Sequence, residues 1–78
     1  MARLNLDHEH IRNQLFKLSA LHEAQRLAVA ELIIHLSDID DWYPESLRRE
    51  LHRLQSAGTI GEAGRHAVEK SFFPEHAW

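Results

Sequence analysis

Seventy-eight residues make one small domain (1–78), near the size at which a single hydrophobic core supplies only about 3 to 5 kcal/mol. The chain has no cysteine, which excludes disulfides and thiolate zinc sites and makes self-association the expected source of extra stability. Nine Lys and Arg against twelve Asp and Glu give a net charge of −3, which argues against binding nucleic acid through overall charge.

No segment has the roughly 18 apolar residues of a membrane span, and the start Met-Ala-Arg-Leu-Asn-Leu-Asp lacks the apolar stretch of a signal peptide. A soluble protein without a membrane role is expected. The absence of cysteine fits the reducing cytoplasm.

Residues 7–36 run without Gly, Pro or Cys. Asp7 suits an N-cap, and the apolar spacing through Ile11, Leu15 and Leu18 predicts a helix that starts there and continues to Leu36, roughly 45 Å if unbroken. Ser19 is the one candidate break, with Glu23 near the first turn of a second helix. At about 100° per residue, Ile11, Leu15, Leu18, Leu21, Val29, Leu32, Ile33 and Leu36 form one broad stripe, and Phe16, Leu27 and Ile34 line up opposite it. Two apolar faces are more than a chain of this size needs for its own core.

Ser37, Asp38, Asp40 and Asp41 interrupt the pattern, and Asp41 followed by Pro44 in the first turn predicts a second helix. Leu47, Leu51 and Leu54 give it a narrow stripe, and Gly58 is a natural left-handed stop. Thr59-Ile60-Gly61-Glu62 reads as a capping box that starts a third helix at Ile60, ending before Pro74. Ala63, Gly64, Ala67 and Ser71 give this helix a face of small side chains that lets another helix approach closely.

The expected fold is all-α: a long N-terminal helix followed by a short helical hairpin, packed as an antiparallel homodimeric helical bundle. The hairpin covers about half of the long helix, and a second copy is expected over the rest. Ile11, Leu15, Leu18, His22, Gln25 and Val29 form the expected dimer face, with His22 and Gln25 as a polar layer that sets register. Phe16, Leu27 and Ile34 are the expected surface for a larger, unidentified partner protein, joined by the aromatic residues Tyr43, Phe73 and Trp78. Trp42 and Phe72 are assigned to the core.

No residue pattern calls for a metal, a cofactor or a catalytic group. His8 and His10 lie about 200° apart on a helix. Glu31 with His35 and Glu62 with His66 have the spacing of surface pairs and lack an HExxH or Glu-x-x-His context. The seven histidines are expected to be mostly solvated, and the hydroxyls of Ser19, Ser37, Ser46, Ser56, Thr59 and Ser71 fall at caps, loops or helix surfaces, with no G-x-S-x-G elbow.

A non-enzymatic regulator, acting as inhibitor or adaptor through protein binding, is the expected function. The alternative is a dimeric nucleic-acid-binding transcriptional regulator using Arg48, Arg49 and Arg53. Leu47, Leu51, Leu54, Gly58 and Ile60 have a spacing that resembles the end of the recognition helix of winged helix-turn-helix proteins, over about fifteen residues. The segment after Ile60 departs from that pattern, being a capping box and helix instead of the strands of a wing.

Overall fold

The computed structural model describes residues 7–78, and these form four helices: α1 (His8–Phe16), α2 (Glu23–Asp38), α3 (Pro44–Ser56) and α4 (Glu62–Phe72). No strand occurs among the described residues. Helices α1 and α2 pack as one pair and α3 and α4 as another, with α2 joining the pairs through its contact with α3.

The long helix expected over residues 8–36 is broken between Lys17 and His22. Described residues span at most 38 Å, less than the ~45 Å of an unbroken 30-residue rod. Through the break the chain makes successive tight turns, Leu18 N–H donating to Leu15 O at 3.0 Å and Leu21 N–H to Leu18 O at 3.1 Å. His22 then stands at the N-cap of α2, and the Gln25 side chain reaches back to accept the His22 backbone N–H at 3.1 Å. His22 and Gln25 are therefore a helix start, not a polar layer inside a coiled coil. Ser19 is exposed and caps nothing.

Magnitudes explain the break. In a straight helix Ile11 and Ile33 would lie about 33 Å apart, at 1.5 Å per residue. Folded back, Ile11 and Leu15 of α1 are completely or almost completely buried in one cluster with Val29, Ala30, Leu32, Ile33 and Leu36 of α2. Each large side chain so buried contributes about 1.5 to 3 kcal/mol. The few intrahelical hydrogen bonds given up are worth about 0.5 to 1.5 kcal/mol each, and the turn replaces part of them.

The same burial takes in several residues of the expected dimer face. Ile11, Leu15 and Val29 lie inside the chain's own core, Leu18 packs half-buried against it, Gln25 is also half-buried, and His22 is exposed. The half-bare long helix that called for a second copy is absent.

Leu47 and Leu51 of α3, Val68 of α4 and the loop residues Leu21 and Ile60 complete the core. Helix α2 ends with Asp40 at φ 60°, where Asp41 N–H donates to Leu36 O at 2.9 Å. Helix α3 ends in the same way at Gly58, φ 80°, with Thr59 N–H donating to Leu54 O at 2.9 Å. The left-handed stop expected at Gly58 is thus present, and it takes Thr59 with it. Thr59 closes α3, Gly61 is the N-cap of α4, and the helix begins at Glu62 instead of Ile60. Asp41 is likewise not a cap: Tyr43 holds that position before Pro44, and the Asp41 carboxylate accepts from Ser46 Oγ at 2.8 Å.

The small face of α4 does allow a close approach. A Cβ on Gly64 would lie 2.8 Å from Leu21 Cδ2, so this position is where α4 meets the α1–α2 connection. One turn or two further on, Gln14 Nε2 and Ser71 Oγ are 3.5 Å apart and link α1 to α4.

Candidate functional site

Two residues of the expected partner surface, Phe16 and Leu27, stand on opposite walls of a cleft where α1 turns into α2. Phe16 is 73% exposed and Leu27 59%. The cleft encloses about 230 Å³, with Leu15 and Ala30 at its base and Arg12, Glu23 and Arg26 along its edge. Two large apolar side chains exposed beside one cleft make it a candidate contact surface.

Arg26 builds the corner. Its Nη1 donates to the Leu21 carbonyl at 2.9 Å, fastening α2 to the turn that precedes it. Its guanidinium carbon lies 5.2 Å from the centre of the Phe16 ring, a cation–π contact worth about 0.5 to 1 kcal/mol at an exposed site. Phe16 is thus held in place while most of its surface faces solvent. Sequence reasoning missed Arg12 and Arg26, because the pairing of Arg26 with Phe16 exists only when the helix is broken.

The rest of the expected partner surface is scattered. Ile34 packs partly buried against the core and does not border the cleft. Tyr43 is 57% exposed at the start of α3. Phe73 and Trp78 belong to a chain-end cluster: the rings of Trp42 and Phe73 are 4.8 Å apart, those of Trp42 and Phe72 meet edge to face at 5.7 Å, and Trp78 Nε1 donates to Phe73 O at 3.1 Å. Trp42 and Phe72 rest against the core as expected. Phe73 and Trp78 spend much of their surface on these internal contacts.

The basic face of α3 is occupied by its own neighbours. Arg48 lies over the Trp78 ring at 5.9 Å. Arg49 reaches Asp41 and Glu50, each at 3.5 Å, and Arg53 reaches Glu50 at 2.7 Å. The Arg53 hydrogen bond, more than any other influence, holds the Glu50 carboxyl below the ordinary carboxylate range, against an opposing push from partial burial. A carboxylate placed between two arginines cancels much of the field a phosphate backbone would need.

Between α2 and α3 lies a wider, open groove of about 500 Å³, with Leu32, Leu36 and Leu54 beneath Glu31, His35 and the Asp41–Arg49–Glu50–Arg53 network. Its charges are of both signs and largely satisfied within the chain. Among the described residues no group of three or more His, Asp or Glu is gathered to hold a metal ion, and no helix is long and apolar enough to cross a membrane. Six of the seven histidines are exposed and His76 is half-buried beside Trp78, their ring centres 4.5 Å apart.

No protein-family model matches the chain, and no curated protein or solved structure matches it.

Proposed function

We propose that this is a non-enzymatic protein-binding regulator, an inhibitor or adaptor working in a reducing compartment such as the cytoplasm, and that it engages its target through the cleft between α1 and α2. The observation that carries the reading is the joint exposure of Phe16 and Leu27 across one preformed cleft. The main apolar stripe is consumed by the core, so this pair is apolar surface that the fold leaves unused. An exposed aromatic ring already held by a neighbouring side chain loses little freedom on binding, which suits it to anchor a partner.

Nucleic-acid binding through Arg48, Arg49 and Arg53 has less support, because each of these side chains already has an intramolecular partner. Homodimerisation likewise loses its first argument once Ile11, Leu15 and Val29 are in the core.

A photo-crosslinking residue at position 23, on the cleft's edge, tests the proposal in the native host. A discrete adduct is expected there, lost when Phe16→Ser or Leu27→Ser is added, and absent from the same crosslinker placed at exposed position 52 on α3. Adducts indifferent to both serine substitutions would refute the assignment.

A further inference from the structure

Charge distribution around the cleft restricts what fits it. Arg49, Arg53 and Arg65 each hold a carboxylate. Arg12 and Arg26 hold none among the described residues, and both border the cleft. Arg26 uses Nη1 on the Leu21 carbonyl and one face on Phe16, which leaves its remaining guanidinium N–H groups free to donate. Glu23 is the single acid on the edge. In a chain of net charge −3, Arg12 and the remaining N–H groups of Arg26 thus lie beside Phe16 and Leu27, the two most exposed large apolar side chains among the described residues.

Shape selects the form of the occupant. The cleft runs between two helices, and the natural complement of such a groove is the side-chain ridge of a third helix. The described residues offer no strand edge to which an extended peptide could add. The opening has room for one or two apolar side chains. Phe16 and Leu27 together expose far less than the roughly 800 Å² per partner of a standard stable interface, so a short anchored helix fits better than a second copy of the chain.

We infer that the cleft receives an acidic amphipathic helix, with an aliphatic anchor between Phe16 and Leu27 and flanking carboxylates on Arg12 and Arg26. This rests on the protein-binding reading above. Acidic flanks would steer the target to this face and fix its register, while the anchor supplies most of the affinity.

A display library of 16-residue helical peptides tests it, each with a Leu pair at i and i+4 and with the flanking positions randomised over Asp, Glu, Lys, Arg, Ser and Ala. The full chain should enrich Asp and Glu at the flanks. An enriched peptide should lose at least tenfold in affinity on Phe16→Ser and a similar factor on Arg12→Glu, and its binding should weaken as salt rises. Enriched peptides that require Phe16 but carry neutral or basic flanks, or that ignore Arg12→Glu, would overturn the acidic-helix inference and leave the protein-binding reading intact. Absence of any peptide dependent on Phe16 or Leu27 would count against both. Sedimentation completes the test: a monomer is expected, and a dimer dissociated by Phe16→Ser would make a second copy the occupant and refute the inference.

Discussion

Glu69 is a carboxylate in the core, 1% exposed, and its partner Arg65 decides whether it can remain there. Arg65 Nη1 donates to both Glu69 oxygens at 3.0 Å, and Arg65 Nε donates to Gln55 Oε1 at 2.7 Å, which ties α4 to the end of α3. Arg65→Met keeps an apolar stem but strands the carboxylate, leaving it His66 Nδ1 at 4.0 Å, a partner that carries charge only when protonated. Removing one member of a buried pair costs about 3 to 5 kcal/mol, comparable to the whole stability expected for a domain of this size. The Arg65→Met chain should therefore give the far-UV circular dichroism of a largely unfolded protein at neutral pH without urea. Glu69→Gln retains shape and an acceptor for Arg65, and should lose about 1.5 to 3 kcal/mol with the charge-assisted bond. The double variant Arg65→Met, Glu69→Leu removes both charges and should recover to about wild-type stability, since apolar replacement of a buried pair is often neutral or stabilising. Urea unfolding measures this well: with a slope near 1 kcal/mol/M, a 2 kcal/mol change moves the midpoint by about 2 M. If Arg65→Met shifts the midpoint by less than about 1 M on that scale, or if the double variant is no more stable than the single, the pair is not a buried ion pair in solution and the reasoning fails.

Two further perturbations probe α3 and its C-terminal stop. Gly58→Ala adds a Cβ with nothing within 4 Å but at φ 80°, so the cost is purely conformational and should be about 1 to 2 kcal/mol by thermal or urea unfolding; an unchanged midpoint would mean the left-handed stop is not formed. Glu50 gives a pH signature: its folded carboxyl titrates below the reference value of 4.5 because of Arg53, so its contribution is present above that value and disappears as pH falls through the lowered one. Arg53→Ala should lower stability at pH 7 by no more than about 1 kcal/mol, as expected for an exposed arginine, and the two stability curves should converge in acid. Parallel curves down to pH 2 would disprove the assignment.

What the chain discloses locally and what it withholds divide along physical lines. Gly58 and Pro44 act within a few residues, through backbone conformation and a missing N–H, and they stand where the sequence places them, while the acidic turn expected after Leu36 starts two residues later because α2 runs on through Ser37 and Asp38. The break at residues 17–22 has no such local cause. Nothing there prevents a helix, and the deciding energy comes from Ile11 and Leu15 meeting side chains about twenty positions away. The cap at His22 follows from that choice, which is why its polarity resembled a core layer when read along a straight helix.

The same long-range event creates the candidate site. Phe16 and Leu27 are eleven positions apart and would be about 16 Å apart along an unbroken helix, on one face but unable to grip anything between them. The turn brings them to opposing walls, sets Arg26 beneath the Phe16 ring and leaves Ile34 against the core. The excess apolar surface was legible in the periodicity, and its allocation was not. The broad stripe is used by the fold itself, and the pair left over becomes a cleft because the helix that would have carried both residues in line is folded in two.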